Sequence, residues 1–167
     1  MPKKAVLLSL NPKYCELIAS GKKTIEVRKT KPKLEPPFKC YIYCVSVKYI
    51  PLSEYVEIHQ KTSGLIDNWH SKIIGEFVCD EIFPMSITYS DPNHRLSQRK
   101  FPFTCLTDKE IMDYLGNGKR GYGWHISDLK IYDMPKELGE FTHCGENYHF
   151  NPAVTKPPQS WCYVEEV

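Results

Sequence analysis

The chain has 167 residues, of which 41% are hydrophobic and 25% are charged, a balance typical of a single globular domain with a buried core. No apolar run approaches the roughly 18 residues that a membrane helix needs, so the composition excludes a membrane-spanning protein. The seven cysteines are odd in number and lack a framework spacing, which favours reduced thiols. We therefore expect a cytoplasmic protein.

The net charge of +2 is unevenly distributed along the chain. Residues 1–39 hold ten Lys or Arg against three Glu, a balance of +7, and the remainder carries −5. A basic segment of this kind indicates an anionic partner such as a nucleotide or RNA. On charge alone, a lysine-rich, solvated edge of the protein is an equally good explanation.

Helix signals are clear at two places in the chain. Asn11 with Pro12 predicts a helix start and Gly21 its end, and the capping box of Thr107 and Glu110 predicts a second helix that ends at Gly116. Shorter helical turns are expected within 53–59 and 65–69. Strands are expected at 4–10, 39–47, 71–84 with a bend at its glycine, 121–132 with a break near 127–128, and 161–164. Residues 85–102 form a polar stretch with a basic cluster.

These elements predict one α+β domain over 1–167, built on a single small mixed β-barrel with two or three flanking helices. Residues 51–72 are the least regular part and are interpreted as an insertion over the barrel. Residues 141–160 are predicted to form a loop-rich tail before the last strand. No repeat and no linker divides the chain.

The most informative stretch is 21–28, Gly-Lys-Lys-Thr-Ile-Glu-Val-Arg, which follows the first helix. On a strand Thr24, Glu26 and Arg28 share one face, while the two apolar residues between them share the other. The apolar face can contact a core, and the polar face with Lys23 at its entrance suits a polar ligand. A half-buried strand with a solvated outer face is the alternative.

The spacing Gly-x-Lys-x-x-Glu-x-Arg after a helix resembles the signature of the ASCH domains of the PUA-like superfamily, and it is met here by Gly21, Lys23, Glu26 and Arg28. The resemblance implies a module that binds RNA or a modified nucleotide in a cleft beside this strand. Lys23, Glu26 and Arg28 are then ligand-binding residues, because a glutamate accepts from an exocyclic amine and an arginine donates to a carbonyl or phosphate. As a partly solvated pair, Glu26 and Arg28 are expected to contribute less than about 1 kcal/mol to stability.

An aromatic strand at 121–126 is the second candidate wall of the cleft. The resemblance places it beside the motif strand, where Trp124 could stack on a base and His125 could contact the ligand. Gly121 and Gly123 let another group approach the backbone closely. For Trp124 a core position is an equally good interpretation, and for His125 a hydrogen-bonded core or rim position is the more common one.

Enzymatic activity is the alternative function. Members of the ASCH group include an amidohydrolase that acts on acylated cytidine, and others are implicated in RNA cleavage. The amidohydrolase pairs its lysine with a threonine three residues on, a place held here by Glu26, with Thr24 as an imperfect substitute. Catalysis would then rest on Lys23, Glu26 and Thr24, with Lys23 or Glu26 activating water.

A metal site and a cofactor are not predicted. The tightest cluster of ligand residues, His143, Cys144 and His149, lacks the paired cysteines of a zinc site. No phosphate-binding glycine loop or nucleophile elbow is present. The sequence leaves the ligand and the oligomeric state open.

Overall fold

The computed structural model describes residues 2–116, 118–145, 148 and 152–167, with Leu96 described by its backbone alone. Six strands form one mixed sheet in the order β2-β5-β4-β3-β1-β6. Only the β1–β3 pair is parallel; the other pairs are antiparallel. The strands are β1 (Lys4–Leu10), β2 (Ile25–Arg28), β3 (Phe38–Cys44), β4 (Lys72–Met85), β5 (Gly121–Lys136) and β6 (Trp161–Glu165).

The predicted α+β class is confirmed, but the predicted closed barrel is not. Within the described part of the chain β2 and β6 are the two edges of the sheet, and no ladder joins them. The sheet is nevertheless strongly curled, because Trp124 on β5 and Trp161 on β6 have ring centroids 6.1 Å apart although three strands separate them. The sheet therefore wraps around a core without closing its hydrogen-bond ladder.

In the described part of the chain five α-helices pack on this sheet, and the first and the last of them begin at the predicted capping residues. Asn11 caps α1 and Thr107 with Glu110 forms the capping box of α5. The polar stretch after β4 contains a helix that the sequence did not predict. The helices are α1 (Pro12–Ala19), α2 (Leu52–Lys61), α3 (Ile66–Trp69), α4 (His94–Lys100) and α5 (Asp108–Leu115).

The buried apolar residues form three clusters. The largest lies inside the curled sheet under α1, α2 and α3. A second lies outside β1, β3 and β6 and includes Phe141 and Val154 from the segment between β5 and β6. The third packs Ile25 and Val27 of β2 against Phe83 of β4 and Leu115 of α5. The polar residues of β2 therefore point to the same side of the sheet as the largest cluster.

Of two predicted irregularities, the one at the glycine of β4 is found and the one near 127–128 takes a different form. The glycine of β4, Gly75, lies at register shifts against both neighbouring strands, as a bulge requires. The predicted break near 127–128 is a left-handed residue, Asp128 at φ 48°, inside a single long strand.

The segment 51–72 holds α2 and α3 and buries Ile58, Ile66 and Trp69 in the largest cluster. Part of the predicted tail, 141–160, lies outside the described residues.

Candidate nucleic-acid interface

A cavity of about 220 Å³ lies beside the polar face of β2. The end of β1 and the first turn of α1 form one wall, and α5 forms the other. The lining residues are Ser9, Leu10, Asn11, Tyr14, Lys23, Glu26, Val27, Arg28, Leu106, Glu110 and Tyr114. Three of the residues predicted from the motif, Lys23, Glu26 and Arg28, thus meet at one cavity.

Glu26 is the centre of the charges at this cavity, and it is only 6% exposed. One carboxylate oxygen, Oε1, accepts a hydrogen bond from Arg28 Nε at 3.1 Å. The other, Oε2, lies 3.4 Å from Lys23 Nζ, which is an ion-pair contact. Oε2 has no hydrogen-bond partner among the described residues. The carboxylate is therefore held by two cations and keeps one buried acceptor unfilled.

Lys23 is buried, and its ammonium group is fixed by contacts from different parts of the chain. Nζ donates a 2.6 Å hydrogen bond to the carbonyl of Thr104, which precedes α5, and lies 5.1 Å from the ring centroid of Tyr14. Cation–π contact and the nearby carboxylate of Glu26 offset part of the cost of burying the ammonium. Lys23 therefore acts as a fixed cation that ties the motif strand to the segment before α5.

Arg28 directs its guanidinium to protein groups. Besides Glu26, it donates to the carbonyl and hydroxyl of Ser160 at 3.1 and 3.0 Å, and to the carbonyl of Ser9 at 2.8 Å. Each of its three nitrogens thus makes a hydrogen bond inside the protein. This arrangement links edge strand β2 to the end of β1 and to the start of β6. It also fixes the orientation of Glu26.

The remaining predicted site residues do not converge on the cavity. Trp124 is fully buried between Phe38 and Trp161, so the predicted stacking on a base does not fit its position. His125 faces the other side of β5 and pairs with Asp80 at 2.6 Å. Among the described residues Thr24 is outside the cavity lining.

The close approach predicted at Gly121 and Gly123 is real, but protein side chains occupy it. A Cβ at Gly123 would lie 2.5 Å from Phe83, and one at Gly121 would lie 2.4 Å from Leu115. Both glycines therefore serve packing in the third apolar cluster.

Sequence reasoning missed the two tyrosines of the cavity, Tyr14 and Tyr114. Tyr14 has the helical spacing of a core residue of α1. Tyr114 lies in the predicted helix α5, but no motif marks that position as part of a site. Burial raises the pKa of both phenols, and the carboxylates of Glu110 and Glu26 raise that of Tyr14 further. Both side chains are therefore neutral hydroxyl groups at physiological pH.

Cysteine and metal chemistry receive no support from the geometry. Burial raises the pKa of the Cys15 thiol well above its usual range, and that of Cys79 to about 12. In the described residues no three His, Cys, Asp or Glu side chains come together as a metal site requires. His149 of the cluster considered above lies outside the described residues.

None of the helices the structure describes has the length and apolar character needed to cross a membrane.

A comparison with known protein families gives one match that includes the motif stretch. Residues 8–84 match the family model described as the ASCH domain, a span that runs from β1 into β4 and includes the whole 21–28 stretch. This part of the chain is therefore similar to an ASCH domain. Among curated proteins, nothing matches the chain.

Solved structures with the same fold come from the ASCH protein of Zymomonas mobilis. That protein is 19% identical, with a TM-score of 0.63 over 97% of this chain and 88% of the other. Its serine-to-alanine variant is 19% identical, with a TM-score of 0.65 over 99% of this chain and 92% of the other. Its tyrosine-to-phenylalanine variant is 18% identical, with a TM-score of 0.65 over 98% of this chain and 92% of the other. At this identity the similarity establishes the fold over nearly the full length of the chain.

Proposed function

We propose that the chain binds RNA or a modified nucleotide by taking one base into the cavity beside residues 21–28. The observation that carries the proposal is the unfilled acceptor, Glu26 Oε2, which is buried at this cavity. A buried carboxylate oxygen without a hydrogen bond is costly, and a ligand that donates to it removes that cost. Exocyclic amines such as N4 of cytosine are donors of this kind.

The rest of the cavity suits a base. The tyrosines at positions 14 and 114 offer rings for stacking and neutral hydroxyls for hydrogen bonding, the usual means by which proteins hold unpaired RNA bases. The volume of about 220 Å³ is below the roughly 300–1,000 Å³ of pockets for drug-sized ligands. A single base is therefore a better match than an extended ligand held entirely inside the cavity.

The contact geometry changes the roles proposed for the motif residues. Glu26 is the group that reads the base, and Lys23 forms an ion pair with its carboxylate. Arg28 is a positioning residue, because its nitrogens are occupied by protein acceptors. This division places recognition on one side chain and its orientation on two others.

Hydrolysis of an acylated nucleoside or of RNA is the second candidate function, and the buried Lys23–Glu26 pair favours it. A water molecule donating to Glu26 Oε2 would be the nucleophile, with Glu26 as its general base. Thr24 has no part in this version, because it lies outside the cavity lining of the described chain. Chromatography of acetylcytidine and of RNA incubated with the protein detects such turnover.

The binding proposal is tested by calorimetric titration with the four common nucleosides and acetylcytidine. We expect an amine-bearing nucleoside to bind best and Glu26→Gln to weaken it by about 5- to 150-fold, the scale of a base-edge contact. Glu35→Gln makes the same chemical change at an exposed loop position and is the matched control. Equal binding by wild type and Glu26→Gln would contradict the proposal.

Because Glu26 is buried between two cations, its replacement also affects folding. Removing one partner of a buried ion pair costs about 3–5 kcal/mol, well above the value expected for a partly solvated pair. Binding is therefore measured well below the melting temperature of each variant. Tyr114→Leu, at a residue that is 37% exposed, alters the cavity wall with less effect on the fold, and it too should weaken binding.

A further inference from the structure

The loop after β2 carries three lysines that are exposed and lack an acidic partner. Within the described part of the chain, Lys29, Lys31 and Lys33 make no ion pair with a carboxylate, and no acidic residue lies between them. Some lysines elsewhere do pair with carboxylates: Lys39 pairs with Glu76 and Glu166, and similar pairs occur at Lys3, Lys61, Lys72 and Lys109. The loop therefore presents a local excess of positive charge. We call Lys29, Lys31 and Lys33 the lysine track.

The lysine track begins at the mouth of the cavity. Lys29 Nζ lies 5.1 Å from the ring centroid of Tyr114, which lines the cavity, and Lys31 Nζ lies 5.5 Å from that of Tyr122. Contacts of this kind between exposed lysines and tyrosines are weak, so phosphate groups can replace them. An exchange of this kind frees the ring of each tyrosine for a base.

The far end of the track is fixed on β6. Trp161 Nε1 donates to the hydroxyl of Thr30 at 3.0 Å, and the backbone N–H of Lys33 donates to the hydroxyl of Tyr163 at 2.7 Å. Pro32 is buried between the last two lysines and favours an extended conformation of the residue before it. Extended backbone places the first and last lysines of the track at most about 14 Å apart. Two hydrogen bonds thus hold the loop, and with it the three cations, against β6.

We propose that the ligand is single-stranded RNA, with one base in the cavity and the adjoining nucleotides lying along the lysine track toward β6. The inference rests on the proposed function, which supplies the base in the cavity. The phosphates contact Lys29, Lys31 and Lys33, and the adjoining bases stack on Tyr122 and Tyr163. A single strand is required because paired bases could neither enter the cavity nor reach the tyrosine rings.

The test compares a nucleoside with an eight-nucleotide single-stranded RNA that contains it, using titration and fluorescence anisotropy. We expect the wild-type protein to bind the oligonucleotide at least tenfold tighter than the nucleoside. Replacing the three track lysines by glutamine should remove most of that gain and change nucleoside binding far less, because Lys29 alone of the three contacts a residue of the cavity lining. The slope of log affinity against log salt concentration should become shallower by about 2, since each lost phosphate contact on a single strand contributes about 0.7.

A matched triple variant, with glutamine at Lys48, Lys119 and Lys130, makes the same change of charge at exposed positions away from the track. One of these lysines, Lys48, also lies over a tyrosine, 5.0 Å from the ring centroid of Tyr49, so it controls for the cation–π contact. This variant should bind the oligonucleotide as the wild type does. Equal losses of oligonucleotide affinity in both triple variants would show that overall charge attracts the RNA, and this would overturn the proposed path along the track.

Failure of the track and failure of the cavity give different results. Wild-type protein that binds the nucleoside and the oligonucleotide equally well has a base pocket without a track, which overturns this inference and leaves the proposed function standing. Oligonucleotide binding that Glu26→Gln leaves unchanged contradicts the cavity and with it the path proposed here. Stronger binding of the same RNA as a duplex would also overturn the inference.

Discussion

At the residue scale, Arg28 combines two tasks that the motif alone does not separate. Its Nε orients the carboxylate of Glu26, while its other nitrogens hold the carbonyls of Ser9 and Ser160. A guanidinium is suited to this because its donors are planar and fixed in direction, whereas a lysine offers one mobile ammonium. The residue is thus part of the fold and, in the proposed function, part of recognition through Glu26.

Arg28→Lys separates charge from geometry at this position. The charge beside Glu26 stays, but the hydrogen bonds to Ser9 and Ser160 are lost, and we expect stability to fall by about 2–4 kcal/mol in urea denaturation. Nucleoside affinity should fall as well, because Glu26 is no longer aimed at the ligand. Arg99→Lys at an exposed position of α4 is the control and should change neither quantity. Unchanged stability in Arg28→Lys would contradict a stabilising role for the hydrogen bonds from Arg28 to Ser9 and Ser160.

At the element scale, β5 shows why glycines in a strand need not mark a ligand. The Cβ position of Gly123 is filled by Phe83 and Met85 of the neighbouring strand β4, and Ile25 and Val27 of β2 pack in the same cluster. The small residue on β5 therefore lets three strands share one apolar layer under α5. The layer holds β2 in place, and the polar face of β2 is thereby presented to the cavity.

Gly123→Ala tests this packing. A Cβ 2.5 Å from Phe83 and 2.9 Å from the sulfur of Met85 overpacks the cluster, and we expect a loss of about 1–3 kcal/mol of unfolding free energy. Gly139→Ala is the matched control, because no atom lies within 4 Å of its Cβ position. The control should be neutral or slightly stabilising. A neutral Gly123→Ala would mean that the cluster tolerates the extra methyl group.

At the scale of the whole molecule, side chains from distant parts of the sequence hold the curled sheet together. The largest apolar cluster takes residues from β1 at the beginning of the chain, from α2 and α3 in 51–72, and from β5 near the end. The contacts of Arg28 then join the two sides of the curl. An arrangement of this kind is expected to unfold as one unit.

One cooperative transition is therefore the prediction for urea unfolding. Tryptophan fluorescence, which reports Trp69, Trp124 and Trp161, should coincide with far-ultraviolet circular dichroism. Replacing 52–70 by a short glycine–serine linker should abolish the transition, because Ile58, Ile66 and Trp69 leave the core. A deletion variant that unfolds cooperatively with wild-type stability would mean that this segment is a dispensable insertion.

Much of the local structure could be predicted because it depends on neighbouring residues. The caps of α1 and α5, the alternation of faces on β2 and the bulge glycine of β4 follow from short-range hydrogen bonding and sterics. Helix α4 escaped prediction, since its sequence is polar and it has no side-chain cap. Stability of such a helix comes from packing against β4 and the following turn, which composition does not reveal.

The sequence by itself predicted the motif strand and the shared face of Glu26 and Arg28, because the alternation of strand side chains is a local property. The resemblance of the motif added Lys23. Tertiary structure alone decided what surrounds them. It placed Tyr14 and Tyr114 at the cavity, withdrew Trp124 into the core and directed Arg28 to Ser9 and Ser160. These outcomes depend on the curl of the sheet, which brings residues more than a hundred positions apart into contact. Periodicity along the chain carries no information about such contacts.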